Sequence, residues 1–323
     1  MSGGTGTAAR AAREGQTYGG ASLTARLASF VKLPHTLFAL PFAGVGVVLA
    51  SWEPAARLSA VSVVWVVLAF TAARFAAMGF NRIVDRQLDA DNPRTRQREL
   101  PAGRLTLLQA VLATAIAAAA FVFAAWQLNP LCGTLAPVAL GWVFFYSGTK
   151  RFTSWSHHVL GLSLGIAPVG AYLGVTGAWS RPWYALIVLA GAVTFWVAGF
   201  DVIYSLQDER FDRERGLHSI AARYGPVAAL AFARAFHIIA VLLFFAIWWL
   251  RLFPVGWLYT AGVVVMALLL LYEHRVAHAA LGKRLDLRSI DQAFFRVNIA
   301  VSLILFALTL ADRVTGGLAG GGS

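Results

Sequence analysis

Nine long apolar runs divide this chain, and they restrict its possible folds more than any other feature does. They lie near residues 30–50, 60–80, 107–127, 131–147, 159–177, 183–205, 226–250, 254–272 and 293–311. A membrane-spanning helix needs about 20 mostly apolar residues, and lipid accepts only helices or closed barrels because backbone polar groups must be bonded internally. The sequence lacks the alternating ten-residue pattern of barrel strands. It therefore predicts an all-α integral membrane bundle of nine transmembrane helices.

The composition supports a membrane protein with one domain. Hydrophobic residues make up 59% of the chain and charged residues 13%, whereas soluble domains have about 45–50% and about 25%. The single cysteine, Cys132, cannot form an internal disulfide. Residues 28–311 are the predicted transmembrane domain, and the Gly-rich segments 1–27 and 312–323 are predicted flexible tails. The first segment has no apolar core and does not resemble a signal peptide.

The positions of Lys and Arg explain the net charge of +12 without nucleic acid. With the N-terminus inside, twenty of these residues fall in cytoplasmic segments and four on the opposite side. The four are Arg57, Arg181, Arg251 and Arg313. Because cationic loops stay on the cytoplasmic side, this asymmetry predicts a multi-pass protein of the cytoplasmic (inner) membrane.

Two short stretches hold nine of the fifteen acidic residues. The first begins at Asn81 with Asn-Arg-Ile-Val-Asp-Arg-Gln-Leu-Asp and continues to Gly103. The second begins at Asp201 with Asp-Val-Ile-Tyr-Ser-Leu-Gln-Asp-Glu-Arg-Phe-Asp and is followed by a basic run to Arg223. The stretches lie at the predicted cytoplasmic ends of the second and sixth apolar runs. The sequence therefore predicts a polar site that faces the cytoplasm.

The spacing inside the two stretches is the same. At about 100° per residue, positions i, i+7 and i+11 of a helix lie within about 20° of one line. This spacing occurs in two sets: Arg74, Asn81 and Asp85, and Asp201, Asp208 and Asp212. Each set is therefore predicted to share one helix face. The repeat on helices four apart indicates an internal duplication of a four-helix unit.

Two interpretations fit these carboxylates. They could be solvated helix ends paired with nearby arginines, or they could hold a cation. Asp201 and Arg74 favour a functional site, since they lie inside apolar spans where ionisable groups are costly. Carboxylates without a matching His or Cys cluster suit Mg²⁺ better than Zn²⁺. Because Mg²⁺ often completes its shell with substrate phosphate, the sequence predicts a phosphate-bearing substrate.

The two stretches resemble the aspartate-rich motifs of the UbiA superfamily, intramembrane aromatic prenyltransferases with nine transmembrane helices. The first motif is matched by Asn81, Asp85 and Asp89, with Arg82 where many members have aspartate. The second is matched by Asp201, Tyr204, Asp208 and Asp212, and a Tyr-x-x-x-Lys-Arg signature by Tyr146, Lys150 and Arg151. The resemblance covers about residues 28–311 and implies the UbiA-like prenyltransferase fold.

Details outside the motifs resemble one branch of the superfamily. The Arg82 form, the Arg-Glu-Leu-Pro-Ala-Gly stretch and the His-Thr-Leu-Phe-Ala-Leu-Pro stretch from His35 look most like 4-hydroxybenzoate polyprenyltransferases. The resemblance implies Mg-dependent transfer of a polyprenyl group from its diphosphate to an aromatic acid in ubiquinone biosynthesis. The branch also includes members that act on dihydroxynaphthoate for menaquinone, and the sequence leaves that alternative open.

The resemblance also implies roles for individual residues. The implied Mg²⁺ ligands are Asn81, Asp85 and Asp89 in the first motif and Asp208 and Asp212 in the second; Asp85, Asp208 and Asp201 are the implied catalytic residues. The implied substrate-binding residues are Lys150, Arg151, Arg74 and Arg82 for the diphosphate, Tyr146 and Tyr204 for the prenyl cation, and Lys32 and His35 for the acceptor carboxylate. Three roles stay open. Asp201 could orient an arginine, accept the ring proton or pair with Arg74, Lys150–Arg151 could serve only topology, and His35 could be a simple interfacial residue.

Other classes of membrane protein fit less well. A CDP-alcohol phosphotransferase needs a single Asp-Gly-x-x-Ala-Arg-type motif, which this chain lacks. An ion-coupled transporter predicts acids near the middle of the membrane, and a purely structural subunit needs no pair of matching acidic faces. The sequence does not determine prenyl length or oligomeric state.

Overall fold

The computed structural model describes residues 22–32, 36–282 and 287–319, and every regular element in these ranges is a helix. The helices are α1 (Leu23–Phe30), α2 (Thr36–Ala50), α3 (Ala60–Val84), α4 (Arg86–Asp91), α5 (Leu107–Leu128), α6 (Pro130–Thr149), α7 (Ser156–Thr176), α8 (Ala185–Ser205), α9 (Glu209–Glu214), α10 (Ile220–Trp249), α11 (Trp257–Gly282) and α12 (Leu287–Ala319).

The helices confirm the predicted all-α membrane bundle. Within the described ranges, eight helices are long and apolar enough to cross a membrane, and α2 contributes a shorter apolar segment, Ala39–Ala50. Together they correspond to the nine predicted spans. The eight long spans are carried by α3, α5, α6, α7, α8, α10, α11 and α12.

Local capping explains where several spans begin. Ser59 and Thr106 each open a helix with a capping box, in which the cap hydroxyl accepts from the backbone N–H three residues later. Asn129 caps α6 through the Cys132 N–H, and Pro130 occupies the first helical position, where a missing N–H costs nothing. These polar residues therefore fix the register of the apolar helices behind them.

Helix α8 lies at the centre of the bundle, between α7 and α10. Trp196 is fully buried there, with its ring centroid 4.7 Å from that of Phe42 on α2. Gly161 on α7 faces the carbonyl of Thr194, so closely that a Cβ would overlap it. This close approach packs the N-terminal half of α7 tightly against α8, at whose C-terminal end the second acidic stretch begins.

The structure corrects three predicted boundaries or shapes. Both acidic stretches break where continuous helices were expected: α3 ends at Val84 and α4 starts after Asp85, and α8 ends at Ser205 before α9 begins at Glu209. Helix α1 begins inside the predicted N-terminal tail, because Ser22 caps it through the Ala25 N–H. Helix α12 continues past the boundary predicted at 311, as far as Ala319.

Candidate active site

The polar site lies at one end of the bundle, where α3, α6 and α8 all finish. Antiparallel succession of the spans brings these three C-terminal ends to the same side, together with the short helices α4 and α9. A loop of residues 92–105, named here the bridging loop, follows α4 and leads into α5. These elements carry nearly all of the residues predicted for the site.

The first acidic stretch is held by arginines on three different elements. Asp85 accepts from the Asn81 amide at 3.0 Å and from Arg151 at 2.9 Å. Asp89 is buried, accepts from Arg98 at 2.6 Å and lies 3.8 Å from the Arg82 guanidinium. Asn81 and Asp85 therefore bond to each other, and Asp85 and Asp89 each face an arginine.

The second acidic stretch is held chiefly by the bridging loop. Arg94 donates from Nε to Asp208 Oδ1 at 2.9 Å and from a terminal nitrogen to Oδ2, while the Asn92 amide donates to Oδ1 at 3.0 Å. The Arg94 guanidinium also contacts the Tyr204 hydroxyl and lies 5.5 Å from the centroid of its ring. Because Asn92 and Arg94 follow α4 directly, the loop ties the two acidic stretches together.

Lys150 and Arg151 at the end of α6 stand between the two stretches. Arg151 bonds to Asp85, whereas the Lys150 ammonium lies 3.8 Å from Asp212 and within electrostatic reach of Asp208. The Lys150 carbonyl accepts from the His218 N–H at 2.7 Å, which fixes the end of α6 against the segment before α10. The Lys-Arg pair thus contacts both aspartate-rich motifs, one residue to each.

The surroundings shift the pKa values at this membrane surface in opposite directions. Burial raises the pKa of Asp85, and the positive charge of Arg151 offsets it only in part. Burial acts the same way on Asp208, but the charge and hydrogen bonds of Arg94 outweigh it and lower its pKa. Burial disfavours the charged form of Lys150, yet the carboxylates of Asp212 and Asp208 raise its pKa. Asp208 and Lys150 are therefore stabilised as ions.

Asp201 has a partner that was not predicted. Its carboxylate lies 2.7 Å from Nδ1 of His157, a fully buried residue at the start of α7. The Ile220 N–H donates to Nε2 of the same ring at 3.4 Å. Nε2 is therefore the acceptor nitrogen, and the Nδ1–H group donates a hydrogen bond to Asp201. The suggested ion pair between Asp201 and Arg74 is not formed: of the described residues, Asp201 bonds to His157.

The remaining predicted residues occupy several positions around the site. The Tyr146 hydroxyl on α6 is within electrostatic reach of both Asp201 and Asp85. Lys32 follows α1 with a left-handed φ of 47° and is half-buried. Arg74 lies on α3, ten residues before its end at Val84. His35 lies outside the described residues.

Mg²⁺ ligation remains a prediction for which the residues are suitable. Within the described ranges, no three His, Cys, Asp or Glu side chains are already grouped as a metal site. The four implied carboxylate ligands, Asp85, Asp89, Asp208 and Asp212, each face a cation instead, but Asp89 Oδ2 and Asp212 Oδ2 are buried without a hydrogen bond. These open oxygens are the hard donors that Mg²⁺ prefers, and the implied ligand set contains none of the Cys or His groups typical of a zinc site.

Sequence analysis missed four of the residues that hold the carboxylates: Asn92, Arg94, Arg98 and His157. The sequence places Arg94 and Arg98 only among the cationic cytoplasmic loops, and no spacing points to His157. A signal for the bridging loop did exist. Asn92 follows the first motif directly, and Asn-Pro dipeptides favour turns. The turn sends the next arginines back over the site.

Comparisons with known proteins agree on one family of enzymes. The model of the UbiA prenyltransferase family matches residues 39–299. A 4-hydroxybenzoate octaprenyltransferase of Methylobacillus flagellatus is 34% identical over 240 residues, which cover 74% of this chain and 77% of that protein. A 4-hydroxybenzoate solanesyltransferase of Synechocystis is 31% identical over 57% of this chain and 62% of its own length.

Solved structures show the same fold. A UbiA homologue from Aeropyrum pernix has a TM-score of 0.76 and 32% identity, over 86% of this chain and 98% of its own. A UbiA homologue from Archaeoglobus fulgidus bound to GPP and Mg²⁺ has a TM-score of 0.63 at 18% identity, over 90% and 99%. The transporter and structural-subunit alternatives are therefore set aside. This chain belongs to the UbiA prenyltransferase family and is an integral membrane prenyltransferase.

Proposed function

We propose that this enzyme transfers a polyprenyl group from its diphosphate to 4-hydroxybenzoate, with Mg²⁺, in ubiquinone biosynthesis. The proposal depends chiefly on one observation: at one end of the bundle, Arg94, Lys150 and Arg151 form ion pairs with carboxylates of the two aspartate-rich motifs. Relatives named for 4-hydroxybenzoate as acceptor support the choice of aromatic acid.

The diphosphate would bind between the motifs. Its oxygens meet Lys150 and Arg151, whose donors suit phosphate in different ways: ammonium as a point charge and guanidinium as a planar fork. Asn81, Asp85 and Asp89 would hold one Mg²⁺, and Asp208 and Asp212 another. Bound there, Mg²⁺ supplies charge neutralisation for the leaving diphosphate. The arginines that now face these carboxylates are then available to phosphate oxygens.

The chemical step breaks one C–O bond and forms one C–C bond. The C–O bond pair leaves with the diphosphate, an electron-rich ring carbon attacks the allylic centre, and the ring then loses a proton. The faces of Tyr146 and Tyr204 would stabilise the positive charge between these events. Asp201, whose carboxylate accepts a hydrogen bond from Nδ1–H of His157, would accept the ring proton.

The acceptor carboxylate needs a cation, and Lys32 is proposed for that role. Lys32 lies at the turn after α1, at the same end of the bundle as the motifs. A His35 contribution stays a proposal outside the described residues. Arg74 and Arg82 are proposed as further cations near the phosphate; Arg82 is 4% exposed and already faces Asp89.

Product analysis tests the reaction. The purified enzyme receives Mg²⁺, polyprenyl diphosphates of several lengths, and equimolar 4-hydroxybenzoate and dihydroxynaphthoate, and products are identified by mass. We expect prenylated 4-hydroxybenzoate and release of diphosphate, both lost after chelation or in Asp208→Asn. If only dihydroxynaphthoate were prenylated, the proposal of 4-hydroxybenzoate as acceptor would be wrong, and the enzyme would belong to menaquinone synthesis. Undiminished product after chelation would overturn Mg²⁺ dependence.

The site is proposed to face the cytoplasm of the inner membrane, since the basic loops lie at its end of the bundle. Cysteine labelling tests this orientation, and the native Cys132 is buried and gives little background. Arg96→Cys on the bridging loop should react only from the cytoplasmic side, and Arg57→Cys only from the opposite side. The reverse pattern would overturn the orientation.

A further inference from the structure

At the end of the bundle opposite the active site, a cavity of about 780 Å³ lies between the loops after α2, α7 and α10. Its charged lining consists of Arg181, Arg251 and Glu53, with Trp248 and Trp249 beside them. The reaction at the other end does not use these residues. They are also unusual in place, because only four Lys or Arg residues are predicted on this side of the membrane. Two of the four line this one cavity.

The two arginines are available to a ligand. Among the described residues, neither the Arg181 nor the Arg251 side chain forms an ion pair or hydrogen bond, although both line the same cavity as Glu53. A third cation of this side, Arg313, is already occupied: it bonds to Ser51 and lies over the ring of Trp52. In the part of the chain that the structure describes, these two guanidinium groups of the cavity therefore have no acceptor.

Glu53 adds a negative charge with one committed oxygen. Its Oε1 accepts from the Tyr172 hydroxyl at 2.7 Å, which orients the carboxylate and leaves its second oxygen for another donor. A simple anion would complement the arginines but not Glu53. A ligand with both a negative and a positive group complements all three side chains.

The tryptophans indicate the level of the membrane at which the cavity lies. Trp249 and Trp257 are 68% and 77% exposed, and Trp248 lies between them, with its ring centroid 5.5 Å from that of Trp257. Tryptophan is enriched at the level of lipid headgroups, where its ring meets hydrocarbon and its N–H meets water. The cavity thus opens where headgroups lie.

We propose that this cavity binds the headgroup of a phospholipid that carries a primary ammonium, such as phosphatidylethanolamine. Arg181 and Arg251 bind the phosphate, for which a pair of guanidinium forks is well suited, and Glu53 binds the ammonium. A choline headgroup lacks N–H donors for Glu53, and a glycerol headgroup lacks the positive charge. The binding is independent of the prenyl transfer proposed for the other end.

Lipid-dependent thermal stability tests the proposal. The delipidated enzyme in detergent receives phosphatidylethanolamine, phosphatidylglycerol, phosphatidylcholine or inorganic phosphate, and its unfolding temperature is followed while native mass spectrometry counts bound lipids. Phosphatidylethanolamine should raise the unfolding temperature most. The double variant Arg181→Gln/Arg251→Gln should lose at least half of that rise, whereas Arg57→Gln, a cation of the same side outside the cavity, should keep it.

Glu53→Gln tests the contact with the ammonium separately from the contact with the phosphate. The glutamine can still accept from Tyr172, so the fold is retained, but its lost charge should make phosphatidylethanolamine and phosphatidylglycerol equally effective. Prenyltransferase turnover in all variants should stay near that of the wild type, which shows that they are folded. An unchanged rise in the double variant, an equal rise with phosphatidylcholine, or the full rise with inorganic phosphate alone would overturn the proposal.

Discussion

The two aspartate-rich motifs share a layout but differ in how their carboxylates are held. In each, a long helix ends, a short helix of six residues follows, and the motif aspartates flank the break. Asp85 has a side chain 25% exposed and pairs with Arg151, which is 39% exposed. Asp208 is 11% exposed and pairs with Arg94, which is 12% exposed.

This difference comes from the loops rather than from the motifs. The bridging loop after α4 crosses to the second motif and places Arg94 and Asn92 on Asp208. Asp85 of the first motif instead receives Arg151 from the end of α6, although Arg98 of the same loop pairs with Asp89. A duplicated arrangement thus becomes asymmetric, with a buried, firmly ionised Asp208 and a more open Asp85 whose pKa is raised. We expect the two motifs to share catalysis but to contribute unequally to stability.

The largest expected effect is the loss of turnover when either motif loses a charge. Asp85→Asn and Asp208→Asn should each reduce kcat about a hundred-fold or more, because each removes a charge from a proposed metal site and neutralisation of the leaving group by the metal is worth several kcal/mol. Turnover of the purified variants over a range of Mg²⁺ concentrations measures this. Near-normal activity of either variant at low Mg²⁺ would remove that residue from the metal site.

The two motifs should differ in their contribution to thermal stability, although both are needed for activity. Arg94→Ala removes the guanidinium from a buried Asp208 and leaves it the Asn92 amide as hydrogen-bond donor, and breaking a buried pair from one side costs about 3–5 kcal/mol. Arg151→Ala breaks an exposed pair, for which the cost is typically below about 1 kcal/mol. Thermal unfolding of the two variants should therefore show a fall of several degrees only for Arg94→Ala. Arg96→Ala, an exposed neighbour on the same loop, is the matched control, and equal falls for Arg94 and Arg151 would refute the asymmetry.

Substrate kinetics should separate the two lysines at the site end. Lys150→Ala should weaken use of the diphosphate about ten- to more than a hundred-fold, since a contact between a half-buried cation and phosphate is lost. Lys32→Ala should raise KM for the aromatic acid and leave KM for the diphosphate nearly unchanged. Two-substrate kinetics on both variants measures this. If Lys32→Ala affected both substrates equally, Lys32 would serve packing or topology.

The smallest expected effect concerns the partner of Asp201. His157→Asn keeps a donor near the position of Nδ1 and should retain most of kcat, whereas His157→Phe should lower kcat about ten-fold or more with little change in KM for the diphosphate. His158 is a matched control, since its ring packs against Phe195 and Phe236 and does not contact Asp201. Loss of kcat in His158→Phe as large as in His157→Phe would indicate a packing effect.

The sequence by itself determined the membrane class, the nine spans and the positions of the two acidic stretches at the ends of their helices. Long apolar runs without a strand pattern form helices in lipid. The spacing of Asn81, Asp85 and Asp89, and that of Asp208 and Asp212, keeps the members of each set within a few helical turns of one another. These are local properties, because period and composition act over one helix at a time. The family resemblance then indicated which chemistry such paired motifs perform.

Only the tertiary structure decided which cation meets which carboxylate. Arg94 and Asp208 are 114 residues apart in the chain, and His157 and Asp201 are 44 apart, so no helical periodicity relates them. The breaks at Asp85 and after Ser205 also turn the motif aspartates away from the straight helix face expected for Arg74 and Asp201. Ion pairing depends on which helix ends meet and how each loop returns, and that follows from the packing of the whole bundle.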